Sequence, residues 1–273
     1  MTRGDRVAQL ASARMSGLLR SNVVVASGTA ISRVTGFLRI AALAAVLGQT
    51  ALSDAYLLAN ETPNIVYDLL LGGLLSATLV PLFSTFVETD DDEATNVVLT
   101  VSVVLMAALT AVAVIAAPLI FGLYSVNIGG DVDPDVYRSV GTTLARIFLI
   151  QILFYGLTGL ANAFLNSRRR FFAAAWSPIL PNLVIIASLL SLPSPGPDGW
   201  QIEQVLTDDR LRWTLGLGAT LGIASMALVL LPAMARTGFR FRPVFAFGHP
   251  AVRKLLSLSF WTVGFVVANQ VAL

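Results

Sequence analysis

Long apolar runs alternate with short polar segments along the whole of this 273-residue chain. About 20 apolar residues cross a bilayer as a helix, and on that rule the pattern predicts seven spans. They cover Asn22–Leu47, Ala51–Val87, Thr95–Leu123, Tyr137–Asn166, Phe172–Leu192, Arg212–Ala235 and Ala251–Leu273. The runs are continuous and rich in Leu, Ala and Val. Barrel strands would instead alternate over about ten residues, so helices are left as the way to satisfy the backbone in lipid. The second and fourth runs exceed one bilayer thickness and must tilt, bend or project into water; Pro63 supplies a bend inside the second. The expected fold is an all-α polytopic membrane bundle.

Composition agrees with this solvent: 56% of residues are hydrophobic and 12% charged, against about 25% charged in soluble domains, and the mean hydropathy is +0.77. The formal charge of +2 and pI near 9.3 do not indicate nucleic acid, because the basic residues fall in short loops and not on one soluble face. Lys and Arg concentrate in cytoplasmic loops, and they sort cleanly here. Arg3, Arg6, Arg14 and Arg20 precede the first span, Arg168, Arg169 and Arg170 follow the fourth, and Arg236, Arg240, Arg242, Arg253 and Lys254 follow the sixth. The opposite side carries Arg138, Arg210 and Arg212 among Asp131, Asp133, Asp135, Asp198, Glu203, Asp208 and Asp209. The amino terminus is therefore expected in the cytoplasm. Glu88 to Glu93 holds five acids and no base, and acids carry little topogenic weight.

The first apolar run is too long for a signal peptide and is interrupted by Arg33 and Arg39, so it is expected to be retained. Before it, residues 1–21 form a basic tail in which Val7–Leu19 has the spacing of an interfacial helix; a disordered tail is the alternative. Residues 22–236 then make six spans, 237–250 a basic loop, and 251–273 the start of a further span.

Charges inside the spans carry the functional signal. An ionised group near the bilayer centre costs roughly 2.5 kcal/mol or more, so such residues face a bundle interior or a wet cavity. Arg33 and Arg39 are such groups. In the second span Asp54, Glu61 and Asp68 recur every seven residues, giving an acidic stripe with Asn64 and Tyr67 beside it. If the first two helices pack antiparallel about Gly48–Thr50, Arg39 comes to the depth of Glu61 and Arg33 to that of Asp68. Such pairs either exchange a carboxylate for an anionic substrate or lock two helices together with no ligand. Arg33 and Arg39 lie six residues apart, about 120° around a helix, so sharing one pocket requires a bend or long reach. Asp54 also sits where a helix dipole stabilises an acid. Asn162, Asn166 and Asn182 are candidates for interhelical hydrogen bonds, Gly218 and Gly222 for a close-packing face, and Arg146 for cavity lining or snorkelling.

Catalytic and cofactor motifs do not emerge. The chain has no cysteine and one histidine, His249, next to Pro250 in a loop without partner ligands, so no metal site is expected. No Gly-rich loop ends in Lys-Ser/Thr, and no water-activating group accompanies the carboxylates. The pattern points to transport or binding, not to an enzyme.

The stretch from Ser32 to Pro81 combines Ser-Arg-x-x-Gly-x-x-Arg, Asp54-Ala55, Pro63-Asn64, a Gly-rich turn and Val80-Pro81. It resembles the amino-terminal signature of the MurJ/MviN family of lipid II flippases, within the multidrug/oligosaccharidyl-lipid/polysaccharide exporter superfamily. The segment from Ala161 to Asn182 is similar to the family's Asn-x-x-x-Arg-Phe, Pro, Asn pattern. The resemblance implies a carrier in the bacterial cytoplasmic membrane that moves the undecaprenyl-diphosphate-linked peptidoglycan precursor outward by alternating access. Its partners would be that precursor, membrane lipids and cell-wall synthesis proteins. On that pattern Arg33 and Arg39 would bind the head group with Asn64 in the same cavity, and Asp54 would be a charge partner near the outer gate; Glu61 and Asp68 join it as charge partners or gate on the spacing of the acidic stripe alone. Other readings are a related polysaccharide-lipid or multidrug exporter and a non-transporting scaffold for cell-wall enzymes. Two departures stand out. Tyr67 and Asp68 replace a basic pair found in many members, and the chain corresponds to the first six-helix lobe plus most of a seventh helix of a family with about fourteen, as expected of an amino-terminal fragment.

Overall fold

The computed structural model describes residues 3–67, 73–125, 132–197 and 199–257. Asp68 and residues 258–273 of the predicted seventh span lie outside these. The helices are α1 (Arg3–Leu47), α2 (Ala51–Tyr67), α3 (Gly73–Glu88), α4 (Asp92–Ile115), α5 (Ala117–Tyr124), α6 (Pro134–Phe148), α7 (Gln151–Ser167), α8 (Phe171–Trp176), α9 (Ile179–Leu190), α10 (Gln204–Thr207) and α11 (Asp209–Ala235). Residues 250–257 are also helical. Among the described residues the only β pairing is an isolated bridge between Gly196 and Gly199. The chain is an all-α membrane bundle, in which Val23–Leu47, Asp92–Ile115, Pro134–Ser167, Phe171–Leu190 and Asp209–Ala235 are long and apolar enough to cross a bilayer.

The predicted spans are less regular than their hydropathy. The third is broken at Ala116, the cap between α4 and α5, because Pro118 lacks an N–H and is seated in the first turn of a new helix. The fifth is broken at Ser177–Pro178 between α8 and α9, where Pro178, likewise without an N–H, is the N-cap of α9. The long fourth run bends at Leu149–Ile150, where Ile152 N–H bonds Leu149 O at 3.1 Å and Leu153 N–H bonds Ile150 O at 3.2 Å in tighter i→i+3 turns. The second run is represented by α2, with Pro63 inside it, and α3. The acids at the start of α4 have a local role: Asp91 caps the helix by accepting Ala94 N–H at 2.8 Å, and Asp92 and Glu93 sit in the first turn, where the helix dipole favours them. His249 likewise caps its helix, its Nδ1 accepting Ala251 N–H at 3.2 Å.

Two apolar clusters hold the lobe. One joins Leu47, Leu52, Tyr56, Phe121, Phe148 and Leu215 from α1, α2, α5, α6 and α11. The other joins Phe83, Leu99, Phe164, Leu230, Phe239 and Leu255 from α3, α4, α7, α11 and the segment after it. That segment runs over the amino-terminal half of α4, with Arg242 N–H donating to Asn96 Oδ1 at 2.7 Å and Val244 N–H to Thr100 Oγ1 at 3.0 Å.

α11 and α9 approach closely, as the small residues predicted. A Cβ on Gly218 would lie 1.9 Å from Ser188 Oγ, and one on Gly222 would lie 3.1 Å from Pro181 O. Gly218→Val is therefore expected to wedge the helices apart and cost about 1–3 kcal/mol, read as a lowered apparent melting temperature in detergent. An unchanged value would mean that α9 repacks freely.

Candidate functional site

The candidate site is built on α1, a helix tied to the lobe along one side. Trp176 Nε1 donates to Val24 O at 3.2 Å, Asn182 Nδ2 to Ser32 O at 3.2 Å and to Thr35 Oγ1 at 3.0 Å, and Trp200 Nε1 to Val46 O at 3.0 Å. At about 100° per residue, Val24, Thr35 and Val46 fall within about 40° of one another. Arg33 stands about 180° from Val24 on the same helix, and the structure leaves it exposed. Arg39 falls about 60° from Val24 and is half-buried in the lobe. The two arginines thus face different ways.

Arg39 opens into a cleft of about 440 Å³ between α1, α2 and α9, lined among others by Leu43, Asp54, Tyr56, Asn60 and Ile185. Tyr56 is fixed there by an edge-on contact with Phe148, with ring centroids 5.4 Å apart. Arg39 and Asp54 share this cleft, with one cationic and one anionic group at its wall and no ion pair within 4.0 Å. Asp54 is exposed in the first turn of α2, where Thr50 Oγ1 caps the helix by accepting Ser53 N–H at 3.2 Å.

The expected Arg39–Glu61 pair does not form. α1 packs mainly on α8 and α9 and meets α2 less extensively, and at the depth of Arg39 it is Asn60 that faces the cleft. Glu61, about 100° further round α2, is exposed and accepts a hydrogen bond from Asn64 Nδ2 at 3.4 Å. Asn64 is half-buried beside it. The Arg33–Asp68 pairing falls outside the described residues. Arg39, Asp54, Glu61 and Asn64 thus occupy neighbouring turns of α1 and α2, but only Arg39 and Asp54 line the same cleft.

A family model described as "Lipid II flippase MurJ" matches residues 43–273. The chain belongs to the lipid II flippase MurJ family. Asp54, Glu61 and Asn64 fall inside the match; Arg33 and Arg39 precede it. Among MurJ proteins, the chain is 27% identical to the lipid II flippase MurJ of Burkholderia cenocepacia over 246 residues, covering 88% of this chain and 45% of that protein. It is 29% identical over 250 residues to the probable lipid II flippase MurJ of Rhizobium tropici, covering 89% and 44%. A solved lipid II flippase MurJ in an inward closed conformation shares the fold at a TM-score of 0.66 and 19% identity, over 91% of this chain and 48% of that one. The chain spans about half the length of the MurJ relatives it matches.

Sequence reasoning passed over several groups that organise this MurJ lobe. Gln151, fully buried at the break between α6 and α7, reaches Asn60 Oδ1 at 3.5 Å and Thr220 Oγ1 at 3.4 Å through Nε2. Thr220 in turn donates to Ile147 O at 3.2 Å. A polar node thereby links α2, α6, α7 and α11; an uncharged amide in the middle of the apolar fourth run was its only sequence signal. Trp176 and Trp200 were equally silent, since indole rings read as ordinary apolar residues until their N–H groups find carbonyls. Of the predicted asparagines, Asn182 bridges helices, whereas Asn162 Oδ1 is buried with no partner among the described residues. Arg146 is exposed in the last turn of α6, where its charge complements the helix dipole. Asn182→Leu is expected to cost about 1 kcal/mol in thermal stability through its lost hydrogen bonds. Hydrogen exchange should accelerate locally around Thr35; uniform exchange along α1 would show that this tie does not hold the helix.

Proposed function

We propose that the chain forms one lobe of a carrier that moves a lipid-linked peptidoglycan precursor from the inner to the outer leaflet of the bacterial cytoplasmic membrane by alternating access. The observation that carries this reading is α1: tied to the lobe along one side, it leaves Arg33 exposed within an apolar span and turns Arg39 into a largely apolar cleft that Asp54 also lines. Guanidinium groups with no ion pair among the described residues at such a place suit a diphosphate, whose oxygens accept their planar forks. The relatives named as lipid II flippases supply the substrate class for this chemistry.

In this mechanism Arg33 and Arg39, reaching with long side chains from faces of α1 about 120° apart, hold different parts of the diphosphate and first sugar, and Asn64 adds a neutral donor. Asp54, Glu61 and Asp68 act as charge partners or gate, drawing the arginines back once the anion has left. Translocation then needs only that substrate stabilise inward-open and outward-open states to different extents. The amino terminus lies in the cytoplasm. Consistent with one shared side, Asp92 at the start of α4 pairs with Arg168 after α7 at 3.7 Å, and Asp92 and Glu93 face Arg240 and Arg242 across one pocket.

A charge exchange tests the Arg39–Asp54 relation. With the two residues reversed together, cells depending on the complete gene should recover more precursor export than with either reversal alone. Rescue no better than the single changes would remove Asp54 as the partner of Arg39.

A further inference from the structure

Three arginines follow one another at the end of α7, and the structure uses only the first internally. Arg168 turns inward, pairing with Asp92 at 3.7 Å and stacking its guanidinium 3.9 Å from the Phe164 ring centroid. Arg169, with φ of 57°, and Arg170 are carried past it by a tight turn in which Arg169 N–H bonds Asn166 O at 3.0 Å and Arg170 N–H bonds Leu165 O at 2.9 Å. Both line a pocket of about 480 Å³, and Arg236 from the end of α11 joins them there. No carboxylate lines this pocket, and none of the three makes an ion pair among the described residues.

The rest of the lining is apolar, from Val24, Phe172 and Ala233 among others. Phe172 is 62% exposed and stacks on Trp176, with ring centroids 5.5 Å apart and planes at 18°. Trp176 also donates to Val24 O at 3.2 Å. Trp is enriched at the height of lipid head groups, and the arginines stand at the ends of apolar helices. The tendency of basic residues to stay on one membrane side explains their number, but not their convergence on a single acid-free pocket with a greasy floor.

We propose that this pocket binds the head group of an anionic phospholipid. Its phosphodiester would accept from the Arg169, Arg170 and Arg236 guanidinium groups, and its glycerol and upper acyl carbons would lie against Val24, Phe172 and Ala233. The volume falls within the range of sites that enclose small ligands, and basic pockets between membrane helices hold anionic head groups through this chemistry. A free phosphate would need the cations but leave the apolar lining without a role. The pocket is separate from the cleft of Arg39 and Asp54, so it survives or fails independently of the carrier reading.

The test is lipid retention by the purified protein in mild detergent, read by native mass spectrometry during titration with phosphatidylglycerol or phosphatidylcholine of identical chains. Phosphatidylglycerol should be held at least about tenfold better, and replacing Arg169, Arg170 and Arg236 together by Ala should weaken it on the order of a hundredfold, at roughly fivefold per cation near the membrane surface. The triple Lys variant should keep most of the binding. Ala233→Trp, which fills the pocket and leaves every charge in place, should also release the lipid, and it decides the matter if the triple Ala variant does not fold. Equal retention of the two lipids, or wild-type retention by folded triple Ala or by Ala233→Trp, would overturn the proposal. So would complete displacement by millimolar inorganic phosphate, which would identify a site for the free anion.

Discussion

Cells whose only copy of the complete gene carries Arg33→Ala together with Arg39→Ala are expected to lose exposure of lipid-linked precursor at the outer leaflet. Each guanidinium is assigned charge-assisted hydrogen bonds to phosphate, worth about 1.5–3 kcal/mol apiece, so each single change should lower export by about 10- to 100-fold and the double change by more. Arg39→Lys should fall between, since a point charge keeps attraction but loses the planar fork. Stability should behave differently. Neither arginine makes an ion pair among the described residues, and Arg33 is exposed, so the single Ala variants should melt within about 0.5 kcal/mol of wild type. This separation decides between the two readings of intramembrane arginines: ion pairs that lock helices would reverse it, with stability lost and export kept. Outer-leaflet labelling of the precursor alongside a melting curve provides both readouts, and wild-type labelling by the double variant would remove both arginines from the mechanism.

The largest stability effect is expected at Phe164. This fully buried ring on α7 meets Phe83 edge-on at 6.1 Å and Phe239 at 4.8 Å between centroids, and it carries the Arg168 guanidinium on its face. Phe164→Ala should cost about 3–5 kcal/mol, the transfer free energy of the ring plus the cavity left behind. The loss falls on more than one element, because Phe239 belongs to the segment that follows α11 and Arg168 ties the end of α7 to Asp92 at the start of α4. Burial pulls the Arg168 guanidinium below its usual pKa, with Asp92 opposing; opening the aromatic stack removes its cation–π partner while its Nη1 already lacks a hydrogen-bond partner. Early proteolysis between Phe239 and His249 should accompany the lowered melting temperature, and Phe164→Leu should show a weaker form of both. Melting within 1 kcal/mol of wild type would mean that the second apolar cluster does not depend on this ring.

Much of this was legible along the chain. Five predicted spans have counterparts in apolar helices long enough to cross a bilayer, because hydropathy reports directly on the solvent that a segment can tolerate. Their interruptions at Ala116 and Ser177 were encoded by Pro118 and Pro178, yet hydropathy does not weigh a missing N–H. The close approach of α11 to α9 at Gly218 and Gly222 was equally visible, since only residues without a Cβ permit it. The partnering of charges was not. Depth matching brought Arg39 to the level of Glu61, but a difference of one residue turns a side chain by about 100°, and Asn60 takes the place in the cleft instead.

By itself the sequence determined the solvent, the helical class, the positions of charges that lipid would reject, and a resemblance strong enough to name a family. These are properties of composition and spacing, and they hold whatever the helices pack against. Only the tertiary structure decided which way α1 faces, because that depends on Trp176, Asn182 and Trp200 finding acceptors on one side of it from residues about 150 positions away. The same long-range contacts separate Arg168, drawn inward by an acid and two rings, from Arg169 and Arg170, which share a pocket with Arg236. Identical side chains in consecutive positions acquire different tasks because the fold, not the local pattern, supplies their counter-charges and surfaces.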